Sequence, residues 1–152
     1  MPTFEKQALQ KPNFFKRLLG IPEKDNAFRE INNLFADKAV RDITAPEIQA
    51  ILTRYKIEDP DPQAFEVILR PLLSNYLLDA TIDEEEQADL DHLQNILPIG
   101  ARQLDETRAQ VARKLYREAY ENAMNDDKIN AAEEENLTEL AQQLETLSTG
   151  DR

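Results

Sequence analysis

Apolar residues recur along this chain at the three- and four-residue spacing of a helix face, and they do not alternate with polar residues as in a half-buried strand. The clearest stripe predicts a last helix over 131–147, and a broad apolar face predicts another over 106–124. A long apolar run predicts a helix over 65–77, which we expect Pro71 to kink. The stripe of the last helix consists of Leu137, Leu140, Ala141, Leu144 and Leu147.

Shorter stripes predict three further helices, and a brief apolar cluster predicts a short one over 13–19. Segments 56–62 and 98–104 have the composition of loops. Together these patterns predict the all-α class, a compact bundle of about six to seven helices built from repeated helix-turn-helix hairpins. The apolar residues of the three helices are Phe28, Ile31, Leu34 and Phe35, then Ile48, Ile51, Leu52 and Tyr55, then Leu90, Leu93, Ile96 and Leu97.

An acidic motif repeats inside this pattern. DATIDEEEQADL, residues 79–90, reappears as DDKINAAEEENL at 126–137, and Ile43 to Glu47 is a fainter third copy. In each copy a Thr, Asp or Asn is followed three residues later by Glu, which is the spacing of a capping box. Carboxylates in the first turn also interact favourably with the helix dipole. The motif therefore predicts helix starts.

The same acids can be compared with a calcium-binding loop. With Ile82 at its eighth position, the loop has Leu77 where an oxygen ligand belongs, and it lacks the glycine of the sixth position. An EF-hand is therefore not expected. A weaker calcium or magnesium site, formed by oxygens gathered at the two turns, stays open as a hypothesis. Its ligands are Asp79, Asp83, Glu86, Asp126, Asn130 and Glu133.

Charge changes the picture, because the net charge of −12 is unevenly placed. Residues 1–78 carry 11 basic and 11 acidic side chains, and residues 79–152 carry 7 and 19. An acidic surface repels phosphate backbones, so nucleic-acid binding is not expected. The excess of acids is typical of a solvated surface that keeps a protein soluble, and attraction to cations or to a basic protein partner stays open as the alternative. The 152 residues include no cysteine and no apolar run long enough for a membrane span, so we expect a cytoplasmic protein.

The N-terminal segment, residues 1–24, is basic, with five Lys and Arg against two Glu. It includes Phe14, Phe15, Lys16 and Arg17, which predict a short amphipathic helix that binds a partner groove or an anionic membrane surface. The alternative is that the segment folds back and covers an apolar face of the helical body. The predicted division is thus this segment, a helical domain over 25–147, and a disordered tail over 148–152.

The two acidic copies resemble the turns of TerB-like domains, the helical modules of tellurite-resistance proteins. The matching segments are 75–97 and 120–144, and the resemblance extends over roughly residues 25–147. Ala80 and Asp127 stand where those domains have glycine after the Asp. The resemblance implies a compact helical module associated with stress responses, membranes or chaperones, without established catalysis.

Catalytic chemistry has little support in the sequence. His92 is the only histidine, and neither a Gly-rich phosphate loop nor a serine nucleophile motif occurs. We therefore expect no enzymatic activity and no cofactor other than the calcium or magnesium considered above. The expected function is a protein-interaction module, an adaptor or scaffold, and the alternative is a divalent-cation sensor or buffer.

Overall fold

The computed structural model describes residues 3–125 and 131–149. In these residues the backbone forms seven α-helices and no strand, which confirms the all-α class. Three short 3₁₀ turns, Val40–Asp42, Pro62–Phe65 and Leu77–Asp79, lie between helices. The helices are α1 Phe14–Leu18, α2 Asp25–Asp37, α3 Ala45–Arg54, α4 Glu66–Tyr76, α5 Glu84–Ile96, α6 Ala101–Asn125 and α7 Ala131–Thr149.

Two predicted boundaries were wrong. The segment read as a loop over 98–104 is only partly one, because α6 begins at Ala101 and buries Leu104. At the other end, α7 continues through Thr149, two residues into the predicted tail, and residues 150–152 lie outside the described residues. The α4 helix runs through Pro71 without a break in its assignment, and the kink stays a prediction.

The chain divides into two units that interleave in sequence. The first comprises Met1–Ile68 and Ala88–Gly100. Within it α2 packs against α3, as expected for a helical hairpin. Phe28 and Phe65 meet edge to face, with ring centroids 5.4 Å apart. Other buried apolar residues of this unit are Ala27, Ile31, Phe35, Ile43, Ile48, Leu52, Leu90 and Leu93.

The second unit comprises Leu69–Gln87 and Ala101–Arg152. Its longest helices, α6 and α7, pack against each other, and α6 also contacts the 3₁₀ turn at Leu77–Asp79. Arg108 Nη2 donates to Gln143 Oε1 across the α6–α7 pair at 2.9 Å. The buried apolar residues of this unit include Leu72, Leu73, Leu77, Leu104, Val111, Ala112, Ala123 and Leu140.

The predicted capping boxes form wherever the structure describes them. Thr44 caps α3, with Glu47 accepting from the Thr44 N–H at 2.9 Å. Asp83 caps α5 in the same way, since Asp83 Oδ1 accepts from the Glu86 N–H at 2.8 Å and Glu86 Oε2 accepts from the Asp83 N–H at 3.0 Å. Both starts confirm that these acids shape the backbone. The third predicted box includes Asn130, which lies outside the described residues.

Candidate functional site

The short helix α1 presents a group of exposed apolar side chains, which we call the α1 patch. It consists of Phe14, Phe15, Leu18 and Leu19, whose exposed fractions lie between 68% and 72%. None of the residues of α1 is buried. Four large apolar side chains left side by side in water are unusual on a folded surface and are typical of an interaction site.

Local hydrogen bonds hold α1 in its helical form. Asn13 Oδ1 accepts from the Lys16 N–H at 2.8 Å and caps the N-terminus. At the other end Gly20 has φ 65°, its N–H donates to Arg17 O, and the Ile21 N–H donates to Lys16 O at 2.8 Å. These two bonds form a Schellman motif, for which glycine is the preferred residue. The α1 patch is thus displayed on a helix that is capped at both ends.

Two cations flank the α1 patch. At about 100° per residue the patch spans an arc of about 140°, and Lys16 and Arg17 each lie about 60° beyond one of its edges. Lys16 Nζ also lies 3.0 Å from both carboxylate oxygens of Glu23. The predicted site residues Phe14, Phe15, Lys16 and Arg17 are therefore brought together as one amphipathic surface.

The residues before α1 form a second structure, whose individual contacts the sequence did not predict. We call residues 4–10 the strap: it has no regular secondary structure and lies along α2. Its first residue, Phe4, is only 6% exposed, and its ring centroid lies 5.5 Å from that of Phe35. This part of the segment folds back, as one of the two alternatives expected, whereas the α1 patch remains exposed.

Asparagines of α2 hold the strap by its main chain. Asn33 accepts from the Gln7 N–H at 2.7 Å and donates to the Gln7 carbonyl at 2.9 Å. Asn26 does the same with Gln10, with both distances 2.7 Å. Each side-chain amide thus forms a two-point pair with a peptide unit, using one donor and one acceptor.

Further contacts extend this row. Asn32 Nδ2 donates to the Glu5 carbonyl at 2.7 Å, and Arg29 Nη1 donates to the Ala8 carbonyl at 3.1 Å. Asn26 and Asn32 are each only 5% exposed. A buried side-chain amide destabilises the folded state unless it is hydrogen-bonded. The strap therefore supplies the hydrogen-bond partners of the asparagine side chains on this face of α2.

A cleft of about 430 Å³ lies between α2 and α3 beside the strap. Its apolar lining includes Leu9, Leu34, Ala50 and Ile51. The three acids at its edge are all ion-paired, as Glu30 with Arg54 at 2.8 Å, Asp37 with Lys6 at 2.8 Å, and Glu47 with Lys38. The cleft therefore combines an apolar lining with a rim of neutralised carboxylates.

Two titrations near this cleft are perturbed. The hydrogen bond from Lys38, followed by that from the Thr44 N–H, lowers the pKa of Glu47 from its ordinary value of 4.5. Burial, followed by a hydrogen bond with Glu30, raises the pKa of Tyr55 above 10.0. The lowered pKa of Glu47 follows from its ion pair and the helix cap, the raised pKa of Tyr55 follows first from burial, and neither shift moves a group towards neutral pH for acid–base catalysis.

The predicted metal ligands of the first acidic copy, residues 79–90, accept hydrogen bonds from backbone N–H groups. Asp83 and Glu86 bond each other's N–H groups in the capping box, and Asp79 Oδ1 accepts from the Thr81 N–H at 3.3 Å. Across residues 3–125 and 131–149, no group of three or more acidic or histidine side chains is arranged to hold a metal ion. Glu133 lies in the first turn of α7, and Asp126 and Asn130 lie outside the described residues.

His92 has a structural role in the first unit. Its Nε2 lies 2.7 Å from the carbonyl oxygen of Ile43. A carbonyl oxygen only accepts, so Nε2 is the protonated nitrogen. The bond links α5 to the residue that precedes the Thr44 cap.

The asparagine row is the feature that sequence reasoning missed. Asn26, Asn32 and Asn33 lie inside α2, although asparagine has a low intrinsic helix propensity. Their position beside an apolar stripe could have indicated a hydrogen-bonding role for their side chains. What they bind was not readable, because their partners lie 16 to 27 residues away.

Comparison with known proteins does not assign this chain to a family. No family model, no curated protein and no solved structure matches the chain. Among the described helices, none is both long enough and apolar enough to cross a bilayer.

Proposed function

We propose that this chain is a non-enzymatic protein-interaction module that docks through the α1 patch. The observation that carries the proposal is the exposure of Phe14, Phe15, Leu18 and Leu19 on a helix capped at both ends. Because α1 is already helical before a partner binds, less conformational entropy is lost on association. The TerB-like resemblance and its association with stress responses remain part of this proposal as its biological setting.

The chemistry of the patch defines the partner. Phe14 and Phe15 require an apolar groove about as long as the five-residue helix α1, and Lys16 and Arg17 favour carboxylates along its edges. We propose a protein partner with such a groove. Cations on both sides of an apolar arc also suit an anionic bilayer, but a helix of five residues inserts too little apolar surface for stable binding by itself.

A site-specific cross-link tests the proposal. A photo-reactive phenylalanine analogue at position 15 of the full chain, illuminated in the host cell, should cross-link to one partner. The purified partner should bind the wild-type chain and lose at least about tenfold in affinity for Phe14→Ser/Phe15→Ser. Both side chains are exposed, so the double variant should keep its stability within about 0.5 kcal/mol per site.

Leu78→Ser is the matched control, because Leu78 is also 69% exposed but lies in the 3₁₀ turn before α5. It should bind the partner like the wild type. Equal loss in the control, or no loss in the double variant, contradicts the proposal. Binding to vesicles of anionic phospholipid that Lys16→Glu/Arg17→Glu abolishes, with no protein cross-link, would assign the patch to a membrane instead.

A further inference from the structure

The surface of α2 that holds the strap is arranged like a surface that binds an extended peptide. Asn26, Arg29 and Asn33 are three and then four residues apart, so they lie on one stripe of the helix. Asn32 flanks this stripe, and all four side chains reach the strap. The two two-point pairs are in register, since Asn26 and Asn33 are about 10.5 Å apart along the helix and their partners Gln10 and Gln7 are three residues apart, about 10 Å in an extended chain.

The hydrogen bonds that the asparagines and Arg29 of α2 form depend on the backbone of the strap rather than on its side chains. The six hydrogen bonds described above end on main-chain atoms of Glu5, Gln7, Ala8 and Gln10. The strap side chains from 5 to 10 are exposed. Any extended segment presents the same N–H and C=O groups at the same intervals, as in peptides that bind by adding to a sheet edge.

Two side chains of the strap supply specificity. Phe4 is buried against Phe35, and Lys6 Nζ lies 2.8 Å from Asp37. A segment recognised by this surface therefore has an aromatic residue, one unrestricted residue and a basic residue, followed by at least four residues in an extended conformation. The buried aromatic anchor contributes more to affinity than the exposed ion pair.

We propose that this face of α2 is a binding site for an extended segment of a partner protein with that pattern, and that the strap occupies it in cis. The site is separate from the α1 patch and does not depend on its function. A strap tethered on the same chain has a high effective concentration, so a partner segment binds with an apparent Kd equal to its intrinsic Kd divided by the fraction of chains whose site is open, and it therefore binds more weakly than to an empty site. Any change that weakens the strap alone should therefore strengthen binding of an added peptide.

The test uses the full chain and a fluorescein-labelled peptide, TFEKQALQKP, which has the sequence of residues 3–12. Gln7→Pro removes the N–H that donates to Asn33 Oδ1, without removing a buried side chain. Gln7→Ala is the matched control, because it keeps this N–H. Fluorescence anisotropy should show about threefold to tenfold tighter binding to Gln7→Pro than to the wild type or to Gln7→Ala, the range expected from losing one exposed hydrogen bond.

The binding should depend on the asparagines and on the aromatic residue. Adding Asn26→Ala and Asn33→Ala to the Gln7→Pro chain should remove most of the gain, and a peptide with alanine in place of the phenylalanine should bind at least tenfold more weakly. Equal binding by Gln7→Pro and Gln7→Ala, or binding that is insensitive to the asparagines, overturns the proposal.

A second measurement on the wild-type chain covers the case in which Gln7→Pro does not fold. The amide hydrogens of Gln7 and Gln10 should exchange slowly in the ¹⁵N-labelled chain, and millimolar unlabelled peptide should increase their exchange by displacing the strap. Unchanged exchange overturns the proposal. If light scattering shows a wild-type dimer that Gln7→Pro dissociates, the occupant is the strap of a second copy, and the assignment to a different partner is wrong.

Discussion

Lys56 lies just past the end of α3 with φ 57°, in the left-handed region that side chains with a Cβ rarely adopt. The backbone there forms a Schellman motif. The Lys56 N–H donates to Thr53 O at 3.0 Å, and the Ile57 N–H donates to Leu52 O at 2.9 Å. The motif needs this conformation whatever residue occupies the position, so Lys56→Gly should relieve strain without changing the fold.

The magnitude follows from two opposing terms. A left-handed conformation costs a residue with a Cβ about 1–2 kcal/mol, whereas glycine loses about 0.5–1 kcal/mol more backbone entropy on folding. Lys56 is exposed, so little burial is lost with its side chain. The net expectation is a stabilisation of about 0.5–1 kcal/mol, or a melting temperature about 1–4 °C higher for a chain of this size.

Urea denaturation and thermal melting measure this change. Lys56→Gly should raise the urea midpoint without changing the slope, which would indicate altered stability in an unchanged transition. Lys56→Ala is the control, because it removes the long side chain and keeps the Cβ. The reasoning is refuted if Lys56→Gly is no more stable than Lys56→Ala.

Ala80 provides an internal comparison. It has φ 67° but is only 1% exposed, so Ala80→Gly removes a buried methyl group as well as the strain. Burial of one carbon contributes about 0.8 kcal/mol, close to the gain expected from relieving the backbone. Ala80→Gly should therefore lie within about 0.5 kcal/mol of the wild type. A gain equal to that of Lys56→Gly would show that burial of the methyl group contributes little.

Two further predictions concern the capping boxes. The folded-state pKa of Glu47 is below 4.5, so its contribution to stability is present above pH 4.5 and is lost as pH falls through the lowered pKa. Glu47→Gln keeps an acceptor for the Thr44 N–H, and the difference in unfolding free energy between it and the wild type should shrink on acidification; a difference that is constant from neutral to acid pH contradicts this. Asp83→Asn preserves the cap of α5, because Asn and Asp cap about equally well. If Asp83 serves only as a cap, any rise in melting temperature produced by millimolar calcium should be the same in this variant as in the wild type. A rise seen in the wild type and absent from Asp83→Asn would instead support a cation site at the first acidic turn.

The helices and their starts were predictable because the interactions that form them are local. Thr44 with Glu47 and Asp83 with Glu86 are three residues apart, so sequence spacing alone places each pair in one helical turn. The apolar spacing likewise gave the all-α class. The start of α6 was missed because Gly100 and the residues after it have loop-like composition, whereas burial of Leu104 favours helix.

What the sequence by itself determined is therefore the set of helices, the capping boxes of α3 and α5 and the amphipathic character of α1. Only the tertiary structure decided which apolar residues of the N-terminal segment are covered. Phe4 and Phe14 are similar in sequence terms, yet one is 6% exposed and the other 72%. The reason is that Phe4 meets Phe35 and its neighbours meet asparagines 16 to 27 residues away, and such long-range pairings leave no periodic signal along the chain.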